Sequence, residues 1–94
     1  MQIEAIQFFI VGISYKNAEA EIRGNYSLDP KSKLSLLTKA KESGLESVMA
    51  ISTCNRTEVI GLVNDPEILI NLLCDTTNSS KEEFKKYSYT LSKH

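Results

Sequence analysis

Apolar residues fall along this chain in short blocks, and their spacing changes from block to block. Residues Ile6–Ser14, IQFFIVGIS, are near-continuously apolar and rich in Ile, Val and Phe. The run is too short for a helix of such burial and predicts a buried strand. The mixed polar stretch YKNAEAEIRGN that follows reads as a loop with one helical turn. Asp29-Pro30 is a helix start: an aspartate can cap free N–H groups, and proline suits the first helical position. Leu34, Leu37 and the flanking Leu36 and Ala40 make an apolar stripe at helical spacing, and Gly44 is the natural stop. The pattern predicts a helix over 30–43.

Ser47–Ser52 and Thr57–Val63 are apolar on both faces and read as strands. Only TCNR separates them, so an antiparallel hairpin is the economical connection. Asn64-Asp65-Pro66 repeats the start chemistry of Asp29-Pro30, and Ile68, Leu69, Leu72 and Leu73 then line a second helix in which Cys74 falls among the apolar positions. Ser80-x-x-Glu83 has the form of a capping box for a short helical turn that packs Phe84. The alternating, aromatic YSYTL over Tyr87–Leu91 predicts an edge strand. The order β-α-β-β-α-β predicts an α+β fold, a ferredoxin-like split sandwich with helices on one face of an antiparallel sheet.

Composition sharpens this only a little. The 94 residues fit one domain, 1–94, and eleven basic against twelve acidic residues give a net charge of −1. That balance offers no general attraction to nucleic acid or an anionic membrane. Lys31, Lys33, Lys39 and Lys41 read as a solvated helix face. No apolar run approaches the roughly 18 residues of a membrane span. The N-terminus lacks the basic flank and small-residue cleavage site of a signal peptide. Cys54 and Cys74 form no CxxC pair, and His94 adds no ligand cluster, so no metal site is expected. A reducing cytoplasm with both thiols free is the expected setting.

The segment ISTCNRTEV over 51–59 carries the chemistry. A cysteine in a small domain is ordinarily a small buried hydrophobe. Cys74, beside Leu72 and Leu73, fits that description. Cys54 stands where a strand ends, between Thr53 and Asn55, with Arg56 two residues on. A nearby cation favours the thiolate, which is the nucleophile. Thr53 and Asn55 can donate hydrogen bonds to an acyl oxygen or carboxylate, and a guanidinium can grip a carboxylate through two bonds. The plainer alternative for Arg56 is a solvated loop charge or a surface pair with Glu58.

The segments VGISYKNAEAEIR (11–23) and STCNRTEV (52–59) together resemble the N-terminal catalytic domain of glutamyl-tRNA reductase, over essentially the whole chain. The second motif is highly specific. The resemblance implies a ferredoxin-like core, in agreement with the element order. It also implies an enzyme that reduces the glutamate carried on tRNA to glutamate-1-semialdehyde, the first committed step of tetrapyrrole (porphyrin) synthesis. The family's nucleophilic cysteine falls on Cys54, whose thiolate attacks the glutamyl ester to leave a thioester that NADPH reduces. Thr53, Asn55 and Arg56 map to glutamate recognition, with Arg56 on a carboxylate of the glutamyl group. Ser14, Tyr15 and Lys16 fall on the first motif near the same pocket, and Arg23 matches its closing arginine as a structural or pocket-wall residue. Tyr15 stands where many relatives have histidine, which removes a titrating group near neutral pH.

The family continues with a helix carrying an active-site histidine, a nucleotide-binding domain and a helical dimerisation domain. The expectation is therefore a domain of a longer homodimeric enzyme, with glutamyl-tRNA as substrate and NADPH held elsewhere. Two other readings stay open on the residues: a non-catalytic ferredoxin-like binding or regulatory module with structural cysteines, and a thiol redox sensor pairing Cys54 with Cys74.

Overall fold

The computed structural model describes residues 6–45 and 47–93. Eight elements follow in order: β1 Gln7–Ser14, α1 Ala20–Gly24, α2 Pro30–Glu42, β2 Val48–Ser52, β3 Arg56–Val63, α3 Glu67–Thr77, α4 Lys81–Tyr87 and β4 Tyr89–Lys93. The four strands form one antiparallel sheet in the order β2-β3-β1-β4. This is the expected ferredoxin-like α+β arrangement, with α1 and α4 added as short helices. His94, which was expected to add no ligand cluster, lies outside the described residues.

Alternation along the strands divides the sheet. Phe9, Val11 and Ile13 of β1 and Val59 and Val63 of β3 face the helices and are buried. They meet Leu36 from α2, Leu69, Ile70, Leu73 and Cys74 from α3, and Phe84 from α4. The opposite face stays open, with Phe8, Met49, Ile51, Leu62 and Leu91 exposed. Register fixes this division, because a slip of one residue would exchange the two faces.

Local chemistry sets the helix ends. Asp29 Oδ1 accepts from Ser32 N–H at 2.7 Å ahead of Pro30. That hydrogen bond to the charged form holds the Asp29 carboxyl below its usual range. At the far end of α2, Gly44 N–H donates to Lys41 O at 3.0 Å and Leu45 N–H to Ala40 O at 2.9 Å. This paired closure needs a left-handed residue, and Gly44 has φ of 86°. Asp65 Oδ1 accepts from Glu67 N–H at 2.9 Å, and Ser80 Oγ from Glu83 N–H at 3.1 Å. Glu83 does not complete the reciprocal box; its Oε1 takes Asn25 Nδ2 at 3.4 Å instead.

Two expectations are corrected. Leu34 is exposed, and the inner face of α2 is Leu36 and Ala40 with Leu37 partly covered. Positions 34 and 36 lie about 200° apart around a helix, so both cannot face the sheet. The capped helix after Ser80 runs on to Tyr87, which pushes β4 to begin at Tyr89. Tyr26, just beyond the stretch read as a loop, is fully buried. Its hydroxyl donates to Ser80 O at 2.7 Å, and its ring meets Phe84 edge-on with centroids 5.2 Å apart.

Candidate active site

The β2–β3 hairpin closes through the pair Ser52 and Thr57. Beyond it the chain turns through Thr53, Cys54 and Asn55 without glycine. The Thr53 side chain explains how. Its N–H donates to Arg56 O at 2.8 Å, while its Oγ1 accepts from Asn55 N–H at 3.2 Å and Arg56 N–H at 3.3 Å. The hydroxyl thus serves amides that a tighter turn would have to satisfy with backbone. Thr53 builds the loop, and Cys54 is left exposed at its tip.

Two neighbouring segments brace that tip. Asn55 O accepts from Tyr15 N–H at 2.9 Å, which fastens the loop to the end of β1. Arg23 reaches across from α1: its Nε donates to Cys54 O at 3.4 Å and its Nη1 to Ala18 O at 2.7 Å. Arg23, expected as a structural or pocket-wall residue, therefore contacts the backbone of the cysteine itself. Ser14 is buried; its carbonyl accepts from Asn17 and Ala18 N–H, and its Oγ from Lys16 N–H at 3.4 Å. Its polar atoms thus serve the turn after β1, whereas Tyr15 and Lys16 are exposed. A cleft of about 510 Å³ opens here, lined by Tyr15, Lys16, Ala18, Ile22, Arg23 and Tyr87 among others. Thr53, Cys54, Asn55 and Arg56 are not among its walls.

Beneath the tip lies a polar link that the sequence pattern did not reveal. Leu28 N–H donates to Ser52 Oγ at 2.9 Å, and Ser52 Oγ shares a 2.9 Å hydrogen bond with Thr57 Oγ1. Thr57 is buried at 2% exposure. The signal available in sequence was two hydroxyl residues bracketing the loop at the ends of apolar strands.

Arg56 lies on the open face, with Nη1 3.6 Å from Glu58 Oε2. The surface pair weighed as an alternative is therefore present, and it leaves the Arg56 side chain 42% exposed. Cys74 sits in α3 with its thiol buried, and burial pushes its pKa up to about 11. With one thiol at the surface and the other in the core, both free, the arrangement does not favour redox pairing. Among the described residues no group of His, Cys, Asp and Glu could hold a metal ion, and no helix is long and apolar enough to cross a membrane.

An exposed cysteine on a braced loop, a half-exposed arginine and an adjacent cleft can accept an acyl group and grip a carboxylate. Comparison with known proteins bears on which group that is. The family model for the N-terminal domain of glutamyl-tRNA(Glu) reductase matches residues 11–94. Glutamyl-tRNA reductase of Christiangramia forsetii is 50% identical over 82 residues, covering 87% of this chain and 20% of that protein. The enzyme of Flavobacterium psychrophilum is 48% identical over the same length and coverage. Glutamyl-tRNA reductase from Methanopyrus kandleri superposes with a TM-score of 0.65 over 97% of this chain and 20% of its own, at 20% identity, which speaks for the fold alone. The chain spans about a fifth of the length of these relatives. With the motif over 52–59 inside the matched region, this chain belongs to the glutamyl-tRNA reductase N-terminal domain family.

Proposed function

We propose that this domain takes the glutamyl group from charged tRNA onto Cys54. The thiolate attacks the carbonyl carbon of the ester. The bond from that carbon to the ribose oxygen breaks, the ribose oxygen takes up a proton, and a thioester remains on the sulfur. Arg56 meets the carboxylate of the glutamyl group through its free N–H donors. Asn55 at the tip and Tyr15 and Lys16 in the cleft wall contact the same group. Thr53 and Ser14 act mainly through the turns they build. The observation that carries this reading is the exposure of Cys54 on a loop whose backbone is tied down from two sides.

In the same reading the thioester is reduced to glutamate-1-semialdehyde, a precursor of tetrapyrroles, in the reducing cytoplasm. The four glycines, Gly12, Gly24, Gly44 and Gly61, form no phosphate-binding loop. These residues do not fit NADPH; cofactor binding and dimer contacts fall to other parts of an intact reductase.

The test is to incubate the protein with glutamyl-tRNA carrying isotopically labelled glutamate and map adducts by mass spectrometry. A glutamyl mass on the Cys54 peptide, absent in Cys54→Ala, is expected. A label confined to another residue, or full acylation of Cys54→Ala, would sink the proposal.

A further inference from the structure

On the open face of the sheet, Gly12 pairs with Glu58 of β3 on one side and with Tyr89 of β4 on the other. Gly12 contributes no side chain, and its two neighbours close over it. A Cβ at Gly12 would lie 2.7 Å from Cζ and Oη of Tyr89 and 2.9 Å from Cγ of Glu58. Tyr89 Oη donates to Glu58 Oε2 at 2.5 Å, and that same oxygen is the one 3.6 Å from Arg56 Nη1.

A carboxylate beside a free guanidinium ordinarily takes two parallel N–H bonds of about 2.7–2.9 Å. At 3.6 Å the Arg56–Glu58 contact is an ion pair without that fork. The oxygen nearest Arg56 is already engaged by the phenol. Glu58, its side chain only 14% exposed, therefore restrains the guanidinium without consuming its donors. We propose that Tyr89 and Glu58, seated on Gly12, are positioning residues that aim Arg56 at the glutamyl carboxylate and set selectivity for an acidic acyl group over its amide. The inference rests on the reading of Arg56 given above. Burial, the bond to Glu58 and the charge of Glu58 raise the Tyr89 pKa to about 12, against the opposing pull of Arg56, so the phenol stays a donor at neutral pH.

The experiment measures transfer to Cys54 in the intact protein from glutamyl-tRNA and, for selectivity, from glutaminyl-tRNA. Tyr89→Phe keeps the ring over Gly12 and loses one hydrogen bond. It should raise KM for glutamyl-tRNA about tenfold and lower selectivity, with kcat within about twofold of the parent. Glu58→Gln should shift KM and selectivity the same way. If Arg56→Lys leaves KM unchanged, the reading of Arg56 fails and this proposal with it. If Arg56→Lys raises KM while Tyr89→Phe and Glu58→Gln keep the parental KM and selectivity, the positioning role is overturned and the reading of Arg56 stands. Loss of thermal stability or kcat in those two variants at constant KM marks a merely structural pair and also overturns it.

Discussion

Ser52→Ala removes the oxygen that joins Leu28 to Thr57 beneath the hairpin tip. Ser52 Oγ accepts from Leu28 N–H at 2.9 Å and shares its proton or that of Thr57 across another 2.9 Å. Leu28 is 6% exposed and Thr57 2%. Alanine leaves an amide and a hydroxyl without that partner in a largely dry setting, and each such orphan costs about 1–3 kcal/mol. Ser52 itself is half-buried, so water can reach part of the vacancy, which places the sum near the low end, about 2–3 kcal/mol. A domain of this length has about 5–14 kcal/mol in total. The melting temperature should fall by about 10–20 °C in thermal unfolding followed by circular dichroism. Thr57→Val should cost less, about 1 kcal/mol, since Leu28 keeps its acceptor. Hydrogen exchange at the Leu28 amide should accelerate in Ser52→Ala alone. A Ser52→Ala protein that melts within a degree or two of the parent, with the Leu28 amide still protected, would refute the reasoning.

Further outcomes follow from the core and its thiol. Phe84→Ala empties the site under the Tyr26 ring and should cost about 3–5 kcal/mol by urea denaturation, whereas Tyr26→Phe, which keeps the ring pair, should cost about 1 kcal/mol. Burial raises Cys74 from 9.0 to about 11 and Tyr26 from 10.0 to about 12, and burial and Glu58 raise Tyr89 likewise. Each group holds its proton longer in the folded than in the unfolded chain, so its contribution is complete below the unfolded value and is lost as pH rises through the folded one. Stability should therefore decline progressively between pH 9 and 12, starting with Cys74. Chemical denaturation at stepped pH checks this, and a flat profile across that window counts against it. Iodoacetamide at pH 8 should label the native protein at Cys54 and spare Cys74 until the chain unfolds.

Much of the architecture could be read from local chemistry. Asp29-Pro30, Gly44 and Ser80 act on residues within a few positions, so their signals survive in sequence, and the hairpin follows from two apolar runs with four residues between them. Leu34 was misplaced because α2 offers leucines at three close positions and only the sheet selects the buried face. Tyr87 was misplaced because its aromatic alternation suits a strand, while the cap at Ser80 lets the helix reach it first. The motif over 52–57 pointed to an exposed cysteine and to Arg56. It was silent on which residues build and which contact, and Thr53 and Ser14 proved to be spent largely on turns. Arg23 against Cys54 O, Leu28 against Ser52 and Tyr89 against Glu58 join distant positions. Such contacts become visible only with the strand register in hand.

β1 occupies an interior place in the sheet, yet one of its two partners is β4, the last of the four strands in chain order; Phe8 pairs with Lys93. During synthesis the nascent strand must wait, one side unzipped, until the other three strands have left the ribosome. Joining β1 to β4 closes a longer loop than either of the other strand pairings among the described residues, the kind of event that slows folding most. Interrupted translation before Tyr89 would release a polypeptide with a sticky apolar edge, a ready substrate for chaperones.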